Sequence, residues 1–218
     1  MKIAIVGAGA QAQLHISYAK ENEEVQLEAI CDVDKKKAEE TARKFGIQKT
    51  YRNLTELLEN YRPDAVHIVT PPKYHAKLAL EAIEAGCHLL IEKPMALSVA
   101  DAEEILKKSN EKGIKVCVCH SMLFEPEIVK AKELYESKQV GDLINLETYM
   151  LHGIGDSPSY AFEGKNTGWA YDLPGSVFSN FIDHAIYLQN EFLGEISVVS
   201  VTTDKIGDNP FVPFDELL

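Results

Sequence analysis

Short apolar runs alternate with helical patterns along roughly the first half of the chain. The runs are nearly all apolar, as in Ile3-Ala4-Ile5-Val6, which is typical of parallel strands that helices cover on both faces. The pattern predicts strands at 2–7, 25–31, 65–69, 87–91 and 115–119. It predicts helices near 11–21, 34–45, 54–60, 75–85 and 99–112. We therefore expect residues 1–121 to form one doubly wound α/β domain.

The regular alternation of strand and helix patterns ends after His120. The pattern there predicts a helix at Phe124–Lys138, a strand at Asp142–Leu151, a long loop at 152–175, a helix at about 175–192 and a strand at 196–203. Long loops in compact domains are often functional. Two strands make a thin sheet. We expect 122–218 to form a second domain that is incomplete.

The predicted helix at 175–192 has two different faces. One face carries apolar residues, namely Phe178, Phe181, Ile182, Ala185 and Ile186, and the other carries Ser176, Asn180, His184 and Tyr187. Asn180 and His184 are four residues apart and should project together. A histidine exchanges a proton near neutral pH, and an amide binds hydroxyl groups. The alternative is a solvated polar face that includes a hydrogen-bonded histidine.

The net charge of the chain argues against some classes of binding partner. The 218 residues carry a net charge of −12, and the pI is about 5.0. This acidity argues against nucleic acid or an anionic membrane surface as the partner. We find no apolar run as long as a transmembrane helix, and Met1-Lys2 leads into a strand rather than a signal peptide. We therefore expect a cytoplasmic protein.

The cysteines and histidines do not predict a metal site. Cys31, Cys87, Cys117 and Cys119 contain no CxxC pair. Cys117 and Cys119 share one face of a predicted strand, where we expect buried small hydrophobic residues. The seven histidines are scattered singly, without the spacing of zinc ligands. We predict no metal.

A glycine turn lies between the first predicted strand and helix, in Gly7-Ala8-Gly9-Ala10-Gln11-Ala12. In a dinucleotide pocket, Gly7 would allow the tight turn and Gly9 would let the backbone approach a pyrophosphate. The small Ala12 would let the helix pack on the strand. The N–H groups at the start of the helix, near Ala10 and Gln11, would then face the phosphates. The alternative is a glycine turn that serves packing alone.

Asp32 follows the second predicted strand, 20 residues after Ala12. A carboxylate in this position would accept hydrogen bonds from the adenosine ribose, and it would repel the extra phosphate of NADP. We favour NAD, with NADP as the alternative because Lys35 is nearby. The structural alternative for Asp32 is an N-cap of the helix that begins near Asp34.

Two further segments follow predicted strands, where ligands of doubly wound sheets collect. After the fourth predicted strand, we expect Thr70 and Pro71 to meet the cofactor, together with His75 at the start of the next helix. In Glu92-Lys93-Pro94, a partly desolvated lysine would polarise a carbonyl or hydroxyl oxygen. For the first segment, the alternative is an ordinary strand end followed by His75 as a helix cap. For the second, the alternative is a Glu–Lys pair on the surface before a helix.

Together these motifs resemble the glucose–fructose oxidoreductase and inositol dehydrogenase family (Gfo/Idh/MocA). The resemblance is carried by GAGAQA with Asp32, by TPPKYH at 70–75, by EKP at 92–94 and by NxxxH at 180–184. It implies a Rossmann domain followed by an α/β domain with an open-faced antiparallel sheet, through which the chain would form a homo-oligomer. It also implies hydride exchange between a nicotinamide and a hydroxyl-bearing carbon of a sugar, cyclitol or related polyol.

The resemblance also implies roles for individual residues. His184 would take the hydroxyl proton, Lys93 would hold and polarise the same oxygen, and Asn180 would occupy a position where members often carry Asp. Glu92 and Lys93 would also line the cofactor site. Trp169 resembles a position near the substrate, with loop packing as the alternative. The Lys93–Pro94 peptide would be cis.

Most members of that family continue well beyond the length of this chain. A shortened, catalytically silent dinucleotide-binding protein is therefore the alternative function. A methyltransferase would also place a glycine turn after its first strand, but it would not explain Glu92-Lys93-Pro94 or the pair Asn180 and His184.

Overall fold

The computed structural model describes residues 1–150, 169–204 and 216–217. Contacts between Cα atoms divide the chain into two compact units, Met1–Cys119 and His120–Leu218. The first unit contains a parallel sheet with its connecting helices, and the second contains helices and short turns. None of the helices in the described ranges has both the length and the apolar character that a bilayer crossing requires.

The first unit alternates strands with helices. Its strands are β1 (Lys2–Val6), β2 (Gln26–Cys31), β3 (Lys49–Tyr51), β4 (Ala65–Ile68), β5 (His88–Glu92) and β6 (Val116–Cys119). Its helices are α1 (Ala10–Glu21), α2 (Lys35–Phe45), α3 (Leu54–Asn60), α4 (His75–Glu84) and α5 (Val99–Lys112), and a short 3₁₀ turn at Pro72–Tyr74 leads into α4. All strand pairs are parallel, which confirms the predicted doubly wound Rossmann sheet.

The strand order is β3-β2-β1-β4-β5-β6. The chain moves outward from β1 to β3, returns to β4 beside β1, and continues outward to β6. The order therefore reverses between β1 and β4, and ligands of open α/β sheets bind beyond the strand ends at this reversal. β3 was not predicted, because its three residues are polar or aromatic and only half-buried.

Apolar residues cover both faces of the sheet. One cluster joins alternate residues of the strands to α3, α4 and α5, and it includes Val6, Val66, Ile68, Ile91, Leu57, Ile83 and Ile105. The cluster on the other face joins the strands to α1 and α2, and it includes Ile3, Ile5, Ile30, Ala12, Ile16 and Ala42. Successive strand residues point to opposite faces, so burial on both faces requires uninterrupted apolar runs.

Several helices begin at a side chain that caps their free N–H groups. Asp34 caps α2 by accepting from Lys36 N–H (3.0 Å), Asn53 caps α3, and Ser98 caps α5. Helix α1 differs, because its N-cap is Gly9 and its first turn contains no acidic residue. The positive end of α1 is therefore left for a ligand or solvent.

The second unit contains α6 (Pro126–Glu136) and α7 (Ile182–Leu193). Short 3₁₀ turns occur at Ser121–Phe124, Trp169–Asp172 and Ser176–Asn180. A short antiparallel pair is formed by β7 (Thr203–Asp204) and β8 (Glu216–Leu217). The helix predicted at Phe124–Lys138 is confirmed by α6, while the helix predicted at 175–192 is divided into a 3₁₀ turn and α7.

The two strands predicted for the second unit are wrong in position. Residues 142–150 form no strand, and of 196–203 only Thr203 belongs to a strand. A strand needs a neighbouring strand for its backbone hydrogen bonds, and in the described ranges these segments have none. Their apolar side chains are exposed, as at Ile144, Tyr149 and Val198. The predicted open-faced sheet is thus not seen in the described residues, and most of the predicted loop at 152–175 lies outside them.

Candidate functional site

The turn after β1 begins with a glycine that cannot be replaced without a clash. Gly7 has a φ of +106°, and a Cβ added there would lie 2.3 Å from the carbonyl oxygen of Val69. The Gly7 N–H donates to the carbonyl of Cys31 (2.8 Å), and the Val69 N–H donates to the carbonyl of Val6 (2.8 Å). The turn is thereby held against the ends of β2 and β4, at the reversal of strand order.

The second glycine of the turn faces open space. A Cβ added to Gly9 would meet no atom within 4 Å. Ala10 and Gln11, which begin α1, are exposed, whereas Ala12 is fully buried against the sheet. Open space next to uncapped helical N–H groups fits the phosphates of a dinucleotide. The residues present therefore fit the cofactor that their spacing predicts.

Asp32 links the glycine turn to the end of β2. Its Oδ2 accepts from the Ala8 N–H (2.7 Å), and its Oδ1 accepts from the Asp34 N–H (2.8 Å). The N-cap of α2 is Asp34, so the interpretation of Asp32 as that cap is wrong. Asp32 is half-buried beside the turn, and each carboxylate oxygen has a second lone pair for a ribose hydroxyl.

The residues after β4 are connected to those after β5 by a buried histidine. The His75 ring is fully buried, with Nε2 2.8 Å from the Thr70 carbonyl oxygen and Nδ1 2.8 Å from the Pro94 carbonyl oxygen. Burial lowers the pKa of His75, although both carbonyls and Glu92 act in the opposite direction. A fully buried ring leaves no surface for a cofactor to contact, so the structure does not favour the prediction that His75 lines the cofactor site. Thr70 and Pro71, in contrast, are half-buried at the edge of the sheet.

Glu92 is the last residue of β5 and is only 9% exposed. Its Oε1 lies 2.8 Å from His15 Nε2 and 3.3 Å from Gln11 Nε2, and its Oε2 accepts from the Lys93 N–H (3.2 Å). Burial raises the pKa of the Glu92 carboxyl, but these hydrogen bonds and the charge of His15 outweigh that effect and hold the pKa below its usual value. The interpretation of Glu92 and Lys93 as a surface pair is wrong for Glu92. Lys93 is half-buried, and the Lys93–Pro94 peptide is cis, as the resemblance implies.

His15 and Cys119 complete a polar cluster that the sequence analysis missed. The side-chain ligand atoms of His15, Glu92 and Cys119 all lie within 4.8 Å of one another. His67 adds its Nδ1, 3.4 Å from His15 Nδ1. Two signals were available, since Gln11 and His15 are four residues apart on α1, and Cys119 pairs with Glu92 in the register of β5 and β6.

The side chains of this cluster form a hydrogen-bond network. His15 and Cys119 both hydrogen-bond the Glu92 carboxylate. Burial, followed by the charge of Glu92, raises the pKa of the Cys119 thiol to about 12. Burial, followed by the charge of His15, lowers the pKa of His67 to about 4, so His67 is neutral at neutral pH.

In the second unit, Asn180 ends a 3₁₀ turn and His184 lies in the first turn of α7. They are therefore not on one continuous helix. Both are buried, at 8% and 9% exposure, whereas Ile182 and Ile186 of the apolar face are 39% and 44% exposed. The interpretation of the polar face as solvated is therefore wrong for Asn180, His184 and Tyr187.

Hydrogen bonds and ring contacts surround His184. Its Nδ1 lies 2.5 Å from the hydroxyl of Tyr187, which accepts from the Met122 N–H (3.3 Å). The Tyr187 ring stacks on His120 with ring centres 4.4 Å apart. Burial lowers the pKa of His120. The imidazole of His184 is thus fixed in orientation by a neighbour on its own helix.

Trp169 packs around the fully buried Ala170 together with Phe178 and Phe181. The contact agrees with loop packing, which the sequence analysis gave as the alternative to a position of Trp169 near the substrate. Cys31 and Cys87 are buried. The prediction that Cys117 and Cys119 are buried is wrong, because Cys117 is exposed and Cys119 is half-buried on a strand at the edge of the sheet.

Comparison with known proteins supports the Rossmann fold of the first unit. Residues 1–120 match the model of an oxidoreductase family with an NAD-binding Rossmann fold, GFO_IDH_MocA. The chain belongs to this family. The membership confirms the resemblance and the predicted NAD-binding fold.

Individual relatives extend beyond this chain. A 4-carboxy-2-hydroxymuconate-6-semialdehyde dehydrogenase from Sphingobium is 37% identical over 126 residues, which are 58% of this chain and 40% of the relative. A myo-inositol 2-dehydrogenase from Thermotoga maritima is 27% identical over 141 residues, or 65% of this chain and 42% of the relative. The chain thus spans less than half the length of these curated relatives.

A solved structure shares the fold. The WlbA dehydrogenase from Chromobacterium violaceum, in complex with NADH and UDP-GlcNAcA, aligns with a TM-score of 0.76 at 22% identity. The alignment covers 95% of this chain and 59% of that protein. The likeness therefore includes residues of the second unit as well as the Rossmann sheet.

Proposed function

We propose that the chain is part or all of an NAD-dependent oxidoreductase that acts on a hydroxyl-bearing carbon of a sugar, cyclitol or related polyol. The observation that carries the proposal is that Lys93 follows a buried carboxylate at the same edge of the sheet as the Gly7–Gly9 turn. The two curated relatives described above are named dehydrogenases, which gives the silent alternative no support.

The cofactor would be held by the turn and the two strand ends beside it. Gly7 and Gly9 shape the turn, the N–H groups near Ala10 and Gln11 face the phosphates, and Thr70 and Pro71 border the site from β4. Asp32 would accept the ribose hydroxyls, and its negative charge favours NAD over NADP. NAD, when bound, supplies the chemistry of accepting or donating a hydride.

The acid–base work would fall to Lys93 and His184. Lys93 would hold the substrate oxygen and polarise it with its ammonium group. His184 would take the hydroxyl proton on Nε2, because the tautomer that donates from Nδ1 to the Tyr187 hydroxyl carries its lone pair on Nε2. Asn180 would hold a substrate hydroxyl, and Trp169 would border the substrate.

We further propose a division of labour along the chain. Residues 1–121 would bind the dinucleotide, and 122–218 would bind the substrate and form a homo-oligomer through a sheet. The four free cysteines suit a reducing compartment such as the cytoplasm.

The test is turnover together with cofactor binding. The purified chain is incubated either with NAD and myo-inositol, scyllo-inositol or D-glucose, or with NADH and the keto forms of these compounds, and the nicotinamide absorbance is followed. We expect His184→Asn to bind NADH as the wild type does, and we expect both His184→Asn and Lys93→Met to lose about 10²- to 10⁴-fold in kcat. Lys107→Met, on the exposed face of α5, is the matched control and should be fully active. Full activity of Lys93→Met, or no turnover of any compound by the wild type, would contradict the proposal.

A further inference from the structure

Helix α1 reaches the carboxyl end of β5 through two side chains. Gln11 and His15, one turn apart, both donate toward Oε1 of Glu92, at 3.3 Å and 2.8 Å. His15 is 8% exposed and Glu92 is 9% exposed, so their contact is shielded from water. A shielded hydrogen bond to a carboxylate is stronger and more directional than an exposed one.

The same carboxylate holds the main chain of the next residue. Oε2 of Glu92 accepts from the Lys93 N–H at 3.2 Å. With both oxygens engaged, Glu92 has little freedom to rotate. The point at which the Lys93 side chain leaves the backbone is therefore set by a group that α1 restrains.

His15 is itself held in one orientation. Its Nδ1 lies 3.4 Å from Nδ1 of His67 on β4, and the two rings meet edge to face with centres 5.6 Å apart. This contact directs Nε2 of His15 toward Glu92. The neutral state of His67 at neutral pH avoids a charge repulsion between the two rings.

We infer that His15 is a positioning residue for Lys93, acting through Glu92. Helix α1 would then have two roles at once, because its first turn faces the dinucleotide phosphates and its second turn sets the backbone of the lysine. The role of Lys93 in this inference rests on the proposed function. The physical link between His15 and the Lys93 amide is independent of that function.

The link is tested by hydrogen exchange at the Lys93 amide, measured by NMR on the full chain. In His15→Leu, Glu92 loses its main donor, and we expect the Lys93 amide to exchange about tenfold faster or more, a change of about 1.4 kcal/mol in its protection. The Ile91 amide, within the ladder of β5, should keep its rate. His15→Gln places an amide N–H where Nε2 lies and should restore the protection of Lys93. Tyr18→Leu, an exposed change on the same helix, is the control.

An unchanged Lys93 amide in His15→Leu would overturn the inference. Faster exchange by the same factor at Ile91 and Lys93 would overturn it as well, because His15 would then stabilise the fold in general. Protection that is lost in His15→Leu and regained in His15→Gln supports it.

Kinetics provide the second measurement, with the polyol that the wild type turns over. We expect His15→Leu to lower kcat by about 10- to 100-fold while the Kd of NADH changes by less than about threefold, and His15→Gln to recover most of kcat. If Lys93→Met is inactive while His15→Leu keeps full kcat, the inference fails and the proposed function stands. If Lys93→Met is fully active, the proposed function fails, and the exchange experiment alone decides whether His15 positions the amide.

Discussion

Replacing Gly7 by alanine is the sharpest test of how the turn after β1 is built. The φ of +106° at Gly7 is a conformation that residues with a Cβ rarely adopt. The new Cβ would also lie 2.3 Å from the carbonyl oxygen and 2.8 Å from the carbonyl carbon of Val69. Backbone hydrogen bonds hold both partners, because Gly7 donates to Cys31 and Val69 donates to Val6. The clash therefore has no flexible side chain to relieve it.

The expected loss of stability has two parts. A residue with a Cβ held at this φ costs about 1–3 kcal/mol. Forcing a methyl group into packed backbone costs about 1–3 kcal/mol more. The total of about 2–6 kcal/mol is a large share of the roughly 5–15 kcal/mol that stabilises a typical domain. In urea, it should lower the unfolding midpoint by roughly 1–3 M.

The assay is urea unfolding followed by circular dichroism, with Gly9→Ala as the matched control. A Cβ on Gly9 meets no atom within 4 Å and its φ is −74°, so Gly9→Ala should cost less than about 1 kcal/mol. It should instead weaken NADH binding by about tenfold or more, because the methyl group occupies the space offered to the phosphates. An unchanged midpoint for Gly7→Ala would refute the geometric argument. Equal destabilisation by both variants would refute the distinction between a structural glycine and a ligand-facing one.

Two further predictions concern charge. The pKa of His67 is lowered from 6.5 to about 4, so between these pH values the unfolded chain binds more protons than the folded chain. The free energy of unfolding should therefore fall by on the order of 3 kcal/mol as the pH falls from about 6.5 to about 4. The urea midpoint of His67→Leu should depend less on pH in this window, and a dependence equal to that of the wild type would contradict the argument. Asp32→Asn keeps an acceptor for the Ala8 N–H but removes the charge. The ratio of the NADPH and NADH dissociation constants, measured by the fluorescence of the reduced nicotinamide, should therefore fall by about tenfold or more. An unchanged ratio would show that Asp32 does not select the cofactor.

The strands of the first unit could be predicted because each is buried on both faces. Ile3, Ile5, Val66, Ile68 and Ile91 are each 1% exposed or less, and such runs read as strands whatever their neighbours are. β3 has a different origin. Lys49–Tyr51 becomes a strand because β2 offers it an edge to pair with, and no local pattern records that edge.

The candidate site was predictable only where it depends on spacing along the chain. Gly7, Gly9 and Asp32 lie within one strand–turn–helix–strand segment, so their relation is fixed by local structure. His15 and Glu92 are 77 positions apart and meet only because β4 pairs with β1 and β5 pairs with β4. The spacing of Gln11 and His15 places them on one face of α1, but it does not identify Glu92 as their partner, and the cluster with Cys119 was missed for that reason.

The helix that carries His184 shows a further limit of pattern reasoning. Periodicity correctly separated its apolar face from its polar face, but it did not determine which face is buried. Burying His184 and Tyr187 while leaving Ile182 and Ile186 partly exposed reverses the arrangement that the hydrophobic effect alone would favour. Buried polar groups are tolerated when hydrogen-bonded, and the Tyr187 hydroxyl meets this condition through His184 and Met122. On this helix the loss of apolar burial therefore goes together with a hydrogen bond that holds the His184 imidazole in one orientation.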